Sequence, residues 1–192
     1  MPIVFVDVDT QIDFLFPAGA LYVPGAERLV PAIARLNRYA AEHAIPLIST
    51  TDAHSEDDPE FKSWPPHCVA GTTGQAKACE TLLESRATLR FEPGAPITMA
   101  DQVIVEKQSL DVFTNQNFRS LLDRLQADRY VVYGVATDYC VRCAALGLLA
   151  TGNPVSVVTD AIAAVNPNDG AAMLREFTSR GGALTNVGDV VR

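Results

Sequence analysis

Short apolar runs alternate with helix-period runs along almost the whole chain, and this alternation constrains the fold more than any other feature of the sequence. Residues 3–8 form a continuous apolar run broken only by Asp7. A helix is expected over 26–43, where Leu29, Ile33, Leu36 and Ala40 fall on one face. Pro46 opens a second strand over 47–51, which ends at Asp52. Residues 103–105 read as a third strand leading to Glu106 and Lys107, and a helix over 117–126 turns Phe118, Leu121, Leu122 and Leu125 inward. A strand over 130–135 feeds a helix over 139–150, a strand over 155–158 leads to Asp160, and a helix over 169–180 with a short strand near Leu184 closes the pattern. Strands this short and apolar on both faces belong in a sheet covered on both sides. The expected fold is α/β, a three-layer, doubly wound, mainly parallel sheet with helices on both faces. Residues 53–101 break the alternation, being irregular and rich in Pro and Gly, with one short helical pattern over 76–83. So long a segment inside a compact domain is usually functional.

A length of 192 residues suggests one domain spanning 1–192, long enough to bury a core. The formal net charge of −8 gives no general attraction to nucleic acid. No apolar run approaches the roughly 20 residues that span a bilayer, so no membrane partner is expected. The first residues lack a basic region and soon reach Asp7 and Asp9, unlike a signal peptide, and a cytoplasmic location is expected. There Cys68, Cys79, Cys140 and Cys143 are expected as free thiols, ligands or nucleophiles rather than disulfides.

In such a sheet, ligands bind at the carboxyl ends of the strands, and the polar residues gather there. Asp9 follows the first strand, Asp52 and His54 the second, Lys107 the third, and Thr137, Asp138 and Cys140 the fourth. Cys140 falls near a predicted helix N-terminus, where the positive end favours thiolate. A nearby Lys107 would lower the thiol pKa further, and Asp9 could accept the proton. Two other readings stand beside this one. Cys140 can be a small buried apolar residue, or, with Cys143, the CxxC of a thiol redox protein, although the flanking Gly or Pro of such motifs is missing.

Asp52, His54 and His67 offer one carboxylate and two imidazoles, a set suited to Zn, Fe or Mn. Two of the three histidines lie in this segment, and Glu60 stands between them as a further candidate ligand. The alternative is a polar loop with incidental histidines. His43, beside Glu42 at a helix end, reads as a structural or capping residue.

These residues also carry a resemblance that covers nearly the whole chain. Asp9-Thr-Gln-Ile-Asp13-Phe14, with Pro17-Ala-Gly-Ala-Leu21 after it, resembles the first-strand motif of the isochorismatase-like cysteine hydrolases, and within them of the nicotinamidase/pyrazinamidase branch. Thr51-Asp-Ala-His54 and Trp64-Pro-Pro-His67-Cys-Val resemble the metal motifs of that branch, and Gly134-Val-Ala-Thr-Asp-Tyr-Cys140-Val its nucleophile motif. The resemblance implies a catalytic triad of Asp9, Lys107 and Cys140. It implies one divalent transition metal, zinc first and iron or manganese next, on Asp52, His54 and His67, with Glu60 as an added ligand seven residues before the second His. It also implies a cis peptide at Val135–Ala136 and an oxyanion hole from the N–H groups of Ala136 and Cys140. Phe14 and Trp64 match ring-packing aromatics. Many nicotinamidases carry a Tyr-Ser-x-Phe-like segment after the lysine, where this chain has Lys107-Gln-Ser-Leu110-Asp111-Val-Phe113. Leu110 then stands near the pocket tyrosine and Asp111 near the serine, which points to a reshaped pocket. The implied activity is hydrolysis of nicotinamide to nicotinate and ammonia through a cysteine thioester, the partner being a small amide. Another small amide or a carbamoyl compound is the alternative, and a homo-oligomer is compatible with the resemblance.

Overall fold

A computed structural model of the chain describes residues 2–192. Seven strands form one sheet: β1 (Ile3–Val8), β2 (Leu47–Asp52), β3 (Arg86–Leu89), β4 (Gln102–Lys107), β5 (Arg129–Val135), β6 (Val155–Ala163) and β7 (Ala183–Thr185). Their spatial order is β3-β4-β2-β1-β5-β6-β7, and every neighbouring pair is parallel. Six helices accompany them among the described residues: α1 (Ile12–Leu15), α2 (Val30–Glu42), α3 (Phe118–Leu125), α4 (Cys140–Leu149), α5 (Pro167–Ser179) and α6 (Val187–Val190). This is the expected doubly wound architecture.

Strand alternation divides the core between the two faces of the sheet. On β1, Val4, Val6 and Val8 join Phe118, Leu121, Val141 and Leu148 beneath α3 and α4. Phe5 turns the other way, onto Ile33, Leu36 and Ala40 of α2. The helices begin and end where local chemistry requires. Pro31 sits in the first turn of α2, whose N–H groups have no intrahelical partner. His43 closes that helix, with its Nδ1 on Tyr39 O at 2.9 Å and its ring stacked on Tyr39 at 4.0 Å. Asn166 caps α5 by accepting the Asn168 N–H at 2.9 Å, and Pro167 follows, so this helix starts two residues before the expected 169.

Other boundaries shift for tertiary reasons. The first turn expected from residue 26 is a 3-10 turn, Ala26–Leu29, leading into α2. The helical pattern over 76–83 closes only as a 3-10 turn at Cys79–Thr81. In the irregular segment, β3 is an edge strand with only Leu89 buried, so it carries no run of apolar residues to betray it. Its presence puts Lys107 at the end of the fourth strand rather than the third. β6 runs to Ala163, past the expected end at 158, because a register shift against β5 lets it bulge and continue. Asp160 therefore lies inside β6, where its Oδ1 accepts the Val187 N–H at 2.8 Å. No helix among the described residues is long and apolar enough to cross a membrane.

Gly134 sits at the same irregularity, with a φ of +118°. A Cβ there would collide with the backbone of Val8, its neighbour on β1. Gly134→Ala is expected to cost about 2–5 kcal/mol, combining a disfavoured φ with overpacking. Denaturant unfolding of the purified variant measures it, and a loss below about 1 kcal/mol, the ordinary surface range, would contradict the close approach.

Candidate active site

Chain order and spatial order reverse at β1, with β2 on one side and β5 on the other. A crevice opens at the carboxyl ends of strands at such a switch point. Asp9 directly follows β1, Asp52 ends β2, Lys107 ends β4 and is the register partner of Asp52, and Cys140 is the first residue of α4 after β5. The strand ends thus bring together residues separated by up to 131 positions (140 − 9).

Lys107 is the hub. Its Nζ lies 2.5 Å from Asp52 Oδ1, 2.8 Å from Asp9 Oδ2 and 3.6 Å from Cys140 Sγ, with all four side chains buried. Burial opposes the lysine charge, but Asp52 and Asp9 outweigh it and raise its pKa well above the ordinary value. Burial raises the Asp9 carboxyl against the pull of Lys107, with Asp52 adding to the rise. For Asp52, burial also raises, but Lys107 and His54 outweigh it and the net direction is down. Burial pushes the Cys140 thiol well up, Lys107 opposing and both carboxylates reinforcing. The expected thiolate-favouring environment is therefore corrected: burial, with two nearby anions, raises the Cys140 thiol more than the one cation lowers it. Its proton-accepting neighbour is Asp9, whose carboxylate lies within 4.8 Å of the sulfur and whose Oδ2 forms an ion pair with Lys107.

The surroundings hold these groups in place. Asp9 adopts a left-handed φ of +48°, rare for a residue with a side chain. Its N–H donates to Thr50 Oγ1 at 3.2 Å, and that hydroxyl donates to Asp9 Oδ1 at 2.5 Å. The Gln11 side chain pairs with the backbone of Asp52 on both sides, accepting its N–H at 2.7 Å and donating to its carbonyl at 2.9 Å. The Val135–Ala136 peptide is cis, as expected. Among the described residues, neither the Ala136 nor the Cys140 N–H donates to a protein acceptor.

Beside the lysine lies the second cluster. Asp52, His54 and His67 are buried and each offers a ligand atom within 4.8 Å of the others. Nε2 of His54 and of His67 face Asp52 Oδ2 at 3.8 and 4.0 Å, too far for hydrogen bonds. His54 Nε2 is buried with no partner. Each ring is anchored by its other nitrogen: His54 Nδ1 lies 2.9 Å from Asp58 Oδ2, and His67 Nδ1 2.8 Å from the Pro65 carbonyl. Three unpaired donors turned toward one point, each fixed from behind, fit a divalent metal. Glu60 lies outside the three-donor cluster but on the wall of the same cleft. Burial raises its pKa, with His54 opposing. A clamp on Asp13 fixes the loop bearing His67: Oδ2 accepts the Cys68 N–H at 2.7 Å and Oδ1 accepts the Ala20 N–H at 2.9 Å.

Cys140 of the first cluster and Asp52 and His67 of the second line a common cleft. Phe14, Trp64 and Leu110 line it, with Glu60, Asp52, His67, Ala136 and Cys140. Asp111 instead caps the 3-10 turn Val112–Thr114 by accepting the Phe113 N–H at 2.9 Å. Sequence reasoning missed Tyr22, Tyr139 and Val165 on the wall. Tyr139, which meets Trp64 edge to face at 5.3 Å, lies inside the nucleophile motif and had a signal there; Tyr22 and Val165 come from loops with none. All four cysteines are free, so the Cys140–Cys143 spacing forms no disulfide.

The fold and site define a class: doubly wound α/β proteins with a buried thiol, carboxylate and ammonium gathered at the topological switch point. The isochorismatase domain model matches residues 3–189, and the chain belongs to that family. It is 28% identical to a nicotinamidase of Escherichia coli over an alignment covering 95% of this chain and 93% of the relative. It is 29% identical to a nicotinamidase/pyrazinamidase of Mycobacterium tuberculosis, with 88% and 91% covered. A pyrazinamidase of Pyrococcus horikoshii, solved in complex with zinc, superposes with a TM-score of 0.81 at 28% identity, covering 97% of this chain and 99% of the other.

Lys107→Met removes the counter-charge of two buried carboxylates. Breaking such a group typically costs about 3–5 kcal/mol. Without Lys107, burial holds both carboxyls above their unfolded value near 3.9. Their contribution is then present below that value and lost as pH rises through the folded pKa. Unfolding with chelator present should show a larger deficit against wild type at pH 8 than at pH 5; a pH-independent deficit would contradict the assignment.

Proposed function

We propose that the protein is a cysteine amidohydrolase of the nicotinamidase type, converting nicotinamide and water to nicotinate and ammonia. The observation that carries this reading is the convergence of Asp9, Lys107 and Cys140 beside the cluster of Asp52, His54 and His67, with Cys140, Asp52 and His67 on one cleft wall. The E. coli and M. tuberculosis relatives support the choice of amide.

Nicotinamide is neutral, flat and largely apolar, and the cleft offers Phe14, Trp64, Leu110 and Tyr139 to its ring. Asp52, His54 and His67, with Glu60 alongside, would hold a divalent metal, zinc by analogy with the Pyrococcus complex, and it would supply a Lewis acid able to orient the substrate. The chemistry itself belongs to the chain. Asp9 Oδ2 takes the Cys140 proton as Sγ attacks the carboxamide carbon, and the raised pKa of Asp9 strengthens it as the base. The Ala136 and Cys140 N–H groups receive the oxyanion. Asp9 returns the proton to the departing nitrogen, ammonia leaves, and a thioester remains. Asp9 then draws a proton from water, hydroxide adds to the thioester carbon, and collapse releases nicotinate and restores the thiol. Lys107 stays protonated throughout and keeps Asp9 anionic between transfers. Leu110 in the cleft makes another small amide or a carbamoyl compound the second reading.

Ammonia release from nicotinamide, pyrazinamide and a panel of small amides and carbamoyl compounds tests this directly. Cys140→Ala should lose at least about 10³-fold in kcat, as removal of a nucleophile does. Cys143→Ala should retain turnover, because Cys143 does not line the cleft. Equal loss in both variants would favour the redox reading. Preference for a carbamoyl compound would move the substrate without moving the nucleophile.

Metal removal separates the two clusters. His67→Ala should lose bound metal and nicotinamide turnover while the folded protein still alkylates at Cys140. Stoichiometric metal in that variant, read by elemental analysis, would refute His67 as a ligand; full activity of chelated wild type would refute the substrate-orienting role.

A further inference from the structure

One carboxylate behind the histidine cluster has a geometry that its surface position in sequence does not suggest. Asp58 is 8% exposed and both of its oxygens are engaged. Oδ2 lies 2.9 Å from His54 Nδ1, and Oδ1 accepts the Glu60 N–H at 2.9 Å as the cap of the 3-10 turn Pro59–Lys62. A carboxylate only accepts, so the hydrogen of a neutral His54 ring is drawn to Nδ1. The lone pair then sits on Nε2, the buried nitrogen without a partner that faces Asp52. Phe61, one residue past Glu60, packs against the His54 ring at 5.3 Å and the His67 ring at 5.7 Å, limiting rotation of both.

From this geometry we infer that Asp58 is a positioning residue that selects the ligating tautomer of His54 and, through the same carboxylate, ties that ring to the backbone of Glu60. The inference rests on the reading of Asp52, His54 and His67 as metal ligands for its consequence, but its first effect is on the metal-free ring. His67 has its own anchor, the Pro65 carbonyl, and does not depend on Asp58. A single side chain therefore sets the direction of His54 and the place of Glu60 together.

Two substitutions divide its tasks. Asp58→Asn keeps the shape but presents one oxygen and one NH2. With the oxygen on the Glu60 N–H, the NH2 meets His54 Nδ1 and drives the ring hydrogen to Nε2, the wrong nitrogen for ligation. With the amide turned over, NH2 opposes the Glu60 N–H. Asp58→Ser can still cap Glu60 but is too short to reach His54.

The test uses the full chain in two states. In metal-free protein at alkaline pH, 15N-detected NMR reads the His54 tautomer, assigned with His54→Gln. Zinc affinity is measured separately by competition with a chelator. Wild type should show the Nδ1–H tautomer at His54, and both variants should lose its predominance while His67 keeps its own. Zinc affinity should fall about 10–100-fold in each, the usual loss for an outer partner of a ligating imidazole. An unchanged His54 tautomer in both variants would overturn the inference, whatever happens to zinc. Unchanged zinc affinity with a switched tautomer would overturn its consequence for ligation. Wild type that binds no zinc would instead overturn the ligand reading, and the tautomer measurement would still decide the role of Asp58. Variants with a wild-type unfolding midpoint but weakened zinc binding exclude a merely structural effect.

Discussion

A single buried ammonium holds the site together. Lys107 is 1% exposed and lies between the carboxylates of Asp9 and Asp52, which burial alone would drive to their neutral forms. Register places it there: Lys107 and Asp52 are paired residues on adjacent parallel strands, and Asp9 follows the strand on the far side of β2. A lysine in this place needs two anions, and two anions this close need a lysine. The sheet settles the matter by ending β1, β2 and β4 at one level.

The lysine is also why the nucleophile behaves differently from a simple activated cysteine. The ammonium, 3.6 Å from the Cys140 sulfur, lowers the thiol pKa more than either carboxylate raises it, yet the thiol's own burial outweighs that help. Burial therefore favours the protonated thiol, and a neighbouring carboxylate is the group placed to accept its proton. Asp9 suits that exchange because Thr50 and a left-handed backbone fix one face of it while Oδ2 remains without an aligned donor. The thiol and the base are matched by a common cause, exclusion of water, rather than by opposite tuning.

Much of this was legible in the sequence. Asp9, Asp52, Lys107 and Cys140 each follow or end an apolar strand, and period and topology alone send such residues to one rim. Asp58, Thr50 and Gln11 were not legible, because each acts through a hydrogen bond across the fold and leaves no periodic trace. Edge strand β3 escaped for a related reason: its exposed and half-buried residues read as loop. The direction of the Cys140 shift was misjudged because charge partners are countable in a sequence whereas desolvation is a property of the packed core.

Asp52 turns one oxygen to Lys107 and the other to His54 and His67. It is a shared wall between two rooms, and neither can be remodelled alone. A descendant of this chain that dispensed with the imidazole side could shed His54 and His67 singly, yet it would have to retain an acid at position 52 or find the lysine another counter-charge. The order in which such a site can be dismantled is therefore set by electroneutrality: the histidines are expendable before the aspartate, and the aspartate only after the lysine has been rebalanced.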